Sequence, residues 1–133
     1  MNDSGSALRV LRIISAIVLL VIAGIHIFLL FDGVGGLLGV LFVLNGIAGI
    51  VLAIGMLALR GRFLAIATVL SLLFVIASLA SLLLALTVGL FGITESWNFT
   101  LVPETVIVEA IGVVVLAITT TVALRSPRGV RAA

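Results

Sequence analysis

Seven basic residues, all arginine, fall at one end of four long apolar runs and none falls at the other. Arg9 and Arg12 open the first run, Arg60 and Arg62 separate the second from the third, and Arg125, Arg128 and Arg131 follow the fourth. The two remaining connections hold acids and no base. About 20 apolar residues span a hydrocarbon core as a helix, and each run reaches that length. Lipid offers no hydrogen bonds to an exposed backbone, so such runs are dictated to be helices. The fold class read from this pattern is all-α: a polytopic membrane protein with four transmembrane helices.

Composition agrees. Of 133 residues, 64% are hydrophobic and 9% charged, with a mean hydropathy of +1.58, whereas a soluble domain is nearer half apolar and a quarter charged. Such a chain has too little polar side chain to cover itself in water. Its length allows one domain. The absence of cysteine excludes disulfides, thiol redox chemistry, covalent haem and thiolate metal sites. A pI of 11.2 suggests nucleic acid at first sight. The net charge is only +2, however, and the arginines flank apolar runs, so they are read as membrane-orienting charge and no nucleic-acid partner is expected.

The helices are placed at about 8–31, 37–59, 63–91 and 103–124. The first is long enough to be a retained span rather than a cleaved signal. Asp32-Gly33-Val34-Gly35-Gly36 is a tight turn, Arg60-Gly61-Arg62 a minimal connection, and 92–102 the longest loop, with Trp97 and Phe99 in it. Pro103 suits the first turn of the fourth helix, and Ser126-Pro127 ends it. Short connections make successive helices antiparallel neighbours, giving an up-down-up-down bundle. Arginine bias puts both termini in the cytoplasm and the protein in the plasma membrane. Asp32, Glu95, Glu104 and Glu109 then lie on the outer side or in the outer leaflet, and Trp97 suits an outer interfacial anchor.

Small residues mark where helices approach closely in lipid. Gly39, Gly46 and Ala53 recur every seven residues on the second helix, thickened by Gly35 and Gly49. Thr68, Ser71 and Ser78 share a face of the third helix, read as packing in preference to a polar conduit. Thr105, Glu109, Gly112, Thr119, Thr120 and Ala123 fall broadly on one face of the fourth.

Three polar residues enter the apolar runs from the same side. His26, the sole histidine, and Glu109 each lie about six residues from the outer end of their helices, hence ~9 Å deep at 1.5 Å per residue. Asn45 lies at ~13 Å on the same arithmetic. A carboxylate in lipid costs ~2.5 kcal/mol or more, so Glu109 is expected to be paired, protonated or wetted, and a His26–Glu109 pair would meet that need. The trio is open to two readings: a clamp that fixes helix register, or a ligand-binding or proton-titrating site. Glu104 and Asp32 add carboxylates on that side, but one histidine and scattered acids lack metal-ligand spacing. A lone histidine names no haem or other cofactor. No nucleophile–base constellation is present, and Gly33-Val34-Gly35-Gly36 follows a membrane helix, not a strand, so it is not a phosphate loop.

The stretch Ala23-Gly24-Ile25-His26-Ile27-Phe28-Leu29-Leu30, followed by Leu41-Phe42-Val43-Leu44-Asn45-Gly46, resembles small four-helix membrane proteins of high-GC actinobacteria. The layout of a histidine late in the first helix, a glycine-rich second helix ending Leu59-Arg60-Gly61-Arg62 and an apolar third is similar to the DoxX-like group. That resemblance implies a four-helix membrane fold over most of the chain and no particular activity, so no functional residues are carried across. Small multidrug transporters share the size but carry a glutamate in the first helix, where this chain has His26 and no intramembrane acid.

Two functions follow. The first is an accessory subunit or self-associating module that works through helix–helix contact with membrane lipids, a second copy or a membrane-protein partner, since almost nothing lies outside the bilayer to do chemistry. The alternative is binding of a lipophilic molecule, or proton-coupled transport, in an outer-leaflet pocket lined by His26, Asn45 and Glu109. A membrane enzyme comes third, with no catalytic residue to name.

Overall fold

A computed structural model describes residues 3–125. The Ser126-Pro127 stop and the tail arginines Arg128 and Arg131 lie outside the described residues. Four helices account for nearly all of what is described: α1 (Asp3–Phe31), α2 (Gly36–Ala58), α3 (Gly61–Thr87) and α4 (Val102–Arg125). All four are long and apolar enough to cross a membrane. The chain is a four-helix, multi-pass membrane protein. The helices run in sequence around a ring, α1 against α2, α2 against α3, α3 against α4 and α4 back against α1, which is the up-down-up-down arrangement. The α1/α2 contact is the most extensive and α2/α3 the thinnest.

The buried positions explain why the ring closes. On α4 they are Val102, Thr105, Glu109, Gly112, Leu116, Thr119 and Ala123, alternating steps of three and four. On α2 they are Gly39, Gly46, Gly49, Ala53 and Met56. That spacing keeps one seam of a helix facing its neighbours at a shallow crossing angle. What distinguishes seam from surface is size and polarity. Glycine, alanine, serine and threonine lie inside, while Ile17, Val40, Ile54, Ile66, Leu73, Ile107 and Val114 face outward and are about half exposed or more. A surface as apolar as the core is what a bilayer solvates.

The α2 glycine seam is filled by α1. A Cβ on Gly49 would lie 2.9 Å from Ala23 Cβ and 3.2 Å from the Leu19 carbonyl oxygen, and one on Gly46 would lie 2.8 Å from Ile27 Cγ1. Across the ring, Gly112 of α4 sits where a Cβ would meet Val18 at 2.8 Å and Val75 at 3.1 Å. Val75, Ile22, Leu19 and Leu116 are completely buried and form an apolar plug across the middle of the bundle.

The ends of the bundle differ. At one end stand Arg9, Arg12, Arg60, Arg62 and Arg125; at the other are the 32–35 turn and the 88–101 loop, with Asp32 and Glu95, and Glu104 in the first turn of α4. Arg12 does more than mark a side. Its Nε donates to the Met56 carbonyl at 2.7 Å, and its Nη2 to the carbonyls of Leu57 at 3.1 Å and Leu59 at 2.8 Å. These carbonyls at the end of α2 have no partner within the helix.

Two boundaries depart from expectation: α1 begins at Asp3, ahead of the expected start at about residue 8, because the polar residues before Leu8 continue the helix, and α3 ends early. Apolarity continues to Phe91, but α3 stops at Thr87. Gly89, at φ +89°, returns its N–H to the Leu84 carbonyl at 2.7 Å, a glycine-dependent helix terminus. The chain then turns back on itself: Leu90 and Ile93 exchange backbone hydrogen bonds at 2.9 and 2.7 Å around Phe91 and Gly92, both with positive φ. The Glu95 N–H then bonds the Ala85 carbonyl, folding the loop over the end of α3.

Candidate binding cavity

That folded loop roofs a cavity of about 390 Å³ at the acidic end. Its walls come mainly from α2 (Leu41, Phe42, Ala48) and α3 (Phe74, Ala77, Leu82), where helix contact is thinnest, and from Phe91 and Phe99 of the loop. His26, Asn45 and Glu109 all line it. The three residues singled out from sequence therefore share one cavity.

Their partners are not those expected. His26 makes no bond to Glu109. Its Nδ1 lies 2.8 Å from the Ile22 carbonyl, which can only accept, so Nδ1 carries a proton. The ring stands edge-on to Phe42, with centroids 4.7 Å apart. In the neutral ring this tautomer leaves Nε2 as an acceptor. The His26–Glu109 pair is thus replaced by a local tie on α1, because the carbonyl one turn earlier is the nearest acceptor that the helix itself supplies.

Glu109 is instead held by Ser78. Asn45 Nδ2 donates to Ser78 Oγ at 3.0 Å, and Ser78 Oγ donates to Glu109 Oε1 at 2.9 Å. One hydroxyl thereby links α2, α3 and α4. Ser78 was read from sequence as a packing residue along with Thr68 and Ser71. Those two return their hydroxyls to their own helix, to Leu64 and Ala67, with Thr68 also 3.6 Å from Met56 Sδ of α2, but Ser78 gives its hydroxyl to another helix. No signal along the chain set it apart, because its depth matches that of Asn45 only when α3 ends at Thr87 instead of the expected Phe91.

The relay leaves two buried oxygens without a partner, Asn45 Oδ1 and Glu109 Oε2. Glu109 is only 1% exposed. Unsatisfied buried polar atoms are few in folded proteins, and here both belong to side chains lining the same cavity.

Below the plug, Ser15 and Thr119 share a hydrogen bond at 3.0 Å. None of Leu19, Ile22, Val75 and Leu116 lines the cavity, and they separate it from that lower pair. Among the described residues no group of three or more histidine, aspartate and glutamate side chains is placed to hold a metal ion. Glu95 sits at the cavity mouth in the loop, where burial pushes its carboxyl above the usual range and a backbone hydrogen bond from Ser96 opposes that rise.

No known family's sequence model, no characterised protein and no solved structure matches the chain.

Proposed function

We propose that this is a plasma-membrane protein with both termini in the cytoplasm that binds a lipophilic small molecule in the cavity on its outer-leaflet side. The observation that carries the reading is the pair of partnerless acceptors, Asn45 Oδ1 and Glu109 Oε2, on side chains lining a mostly apolar cavity. Ligand sites are mostly apolar with a few convergent polar groups. With neutral His26 adding a third acceptor, the molecule that fits brings a hydrogen-bond donor on an apolar body. The apolar plug supports binding or one-sided exchange over a continuous conduit. Association through the α2 glycines is the weaker reading, since α1 fills that seam.

The test is mass spectrometry of small molecules that co-purify from native membranes in mild detergent. The wild-type chain should carry a stoichiometric lipophile, and Ala77→Phe, which fills the cavity, should lose it while keeping its helical content. A wild-type chain with no bound molecule, or equal retention by Ala77→Phe, would count against the site. The orientation has its own test, made simple by the lack of cysteine. Ser96→Cys should react with an impermeant maleimide on intact cells, and protection until lysis would reverse the topology.

A further inference from the structure

We propose that the cavity selects a lipophilic cation, an ammonium on an alkyl or aryl body whose charge pairs with the Glu109 carboxylate. This rests on the cavity being a ligand site and adds its charge class. Two carboxylates line the cavity, Glu109 in its wall and Glu95 at its mouth, and no arginine does; every described arginine belongs to the opposite end. Glu109 Oε1 takes the Ser78 hydroxyl, and Oε2 has no partner. A buried carboxylate held by a single hydroxyl lacks the counter-charge that normally accompanies a buried ion. His26 is not paired with it, since its Nδ1 faces the Ile22 carbonyl and no hydrogen bond joins the ring to Glu109.

The walls point the same way. Phe42, Phe74, Phe91 and Phe99 line the cavity, four of the seven phenylalanines in the chain. Aromatic rings attract ammonium groups, and Phe42 and Phe74 stand within the bundle while Phe91 and Phe99 are exposed on the loop. A neutral donor would satisfy one hydrogen bond and gain nothing from charge, whereas an ammonium binds the ionised carboxylate and compensates it. An anion would meet two carboxylates and no base.

The experiment compares three probes of equal chain length, decylammonium, decanol and decanoate, by calorimetric titration of the purified full chain in a neutral detergent. Decylammonium should bind about tenfold or more tighter than decanol, with decanoate weakest. Glu109→Gln should bring ammonium and alcohol to within about twofold of each other, and Glu95→Gln should keep most of the preference. Should Glu109→Gln fail to fold, the wild-type ratio of ammonium to alcohol decides alone. Equal binding of the two by the wild-type chain overturns the cation assignment and leaves the pocket standing. A preference that survives Glu109→Gln, or that vanishes with Glu95→Gln, overturns the role of Glu109. Failure of all three probes to bind overturns the pocket and the cation together.

Discussion

Ser78 Oγ lies 2.9 Å from Glu109 Oε1 while accepting the Asn45 amide at 3.0 Å, so one serine hydroxyl bonds to side chains on two neighbouring helices. Ser78→Ala would strip Glu109 of its only hydrogen bond and Asn45 of its Nδ2 acceptor. Interhelical hydrogen bonds in membranes average about 0.6 kcal/mol and reach about 1.7. Losing two that share an atom is therefore expected to cost about 1–2 kcal/mol. Reversible unfolding in mixed micelles measures this directly. A double-mutant cycle with Asn45→Ala should be non-additive, because the second substitution finds its bond already broken. Additive losses would mean that the relay does not act as a unit.

The close approach of α1 and α2 makes a second expectation. Gly49→Ala drives a methyl against Ala23 Cβ and the Leu19 carbonyl, neither of which can swing away. Overpacking of this kind costs about 1–3 kcal/mol. Gly46→Ala meets Ile27 Cγ1 at 2.8 Å, and a β-branched side chain on a helix is held to one χ1 rotamer, so a comparable cost is expected. Gly24 has open space around it, and Gly24→Ala should be neutral or stabilising by up to about 1 kcal/mol through helix propensity alone. Losses at Gly49 and Gly46 that both stand well above that at Gly24 are the check. An equal effect at all three would reduce the series to propensity.

How far the sequence carried this picture depends on which physics set each feature. Helix number, type and order follow from hydropathy and loop length, which are local. So does the depth match of His26, Asn45 and Glu109, since it is arithmetic along each helix. Partner choice is not local. The Nδ1 proton of His26 could go to Glu109 or to the carbonyl of Ile22, and only the rotation of α1 in the bundle decides. Ser78 looked like Thr68 and Ser71 because all three lie on one face, and the difference appears only when α2 and α4 are set beside α3. The end of α3 was misplaced because apolarity runs on past Gly89; the glycine was the better signal, and hydropathy outweighed it.

Arg12 separates orientation from structure. Its guanidinium reaches three carbonyls at the end of α2 through a planar fork that lysine does not possess. Arg12→Lys keeps the positive charge that biases topology but loses the multiple bonds. Maleimide access at Ser96→Cys should be unchanged in the Arg12→Lys background, while unfolding stability falls by about 1–2 kcal/mol. Full stability of Arg12→Lys would leave Arg12 with orientation as its only role.

The 88–101 loop should tighten in acid. Burial raises the Glu95 carboxyl above its ordinary value, and the Ser96 backbone bond only partly offsets this. A carboxyl whose value is raised on folding penalises the folded loop when charged. That penalty is absent below the ordinary carboxylate range and grows as pH rises through the raised value. Stability of the loop is therefore expected to increase as pH falls from neutrality into the carboxylate range. The amides of Leu90, Ile93 and Glu95 report it, since they bond Ile93, Leu90 and Ala85 carbonyls within the loop and at its base. Their hydrogen-exchange protection, corrected for the intrinsic pH dependence of exchange, should rise on acidification. Glu95→Gln carries no charge at any pH, so it should hold the protected level throughout and flatten the profile. Protection that falls in acid, or an identical pH response in Glu95→Gln, would remove Glu95 as the group that governs the roof of the cavity.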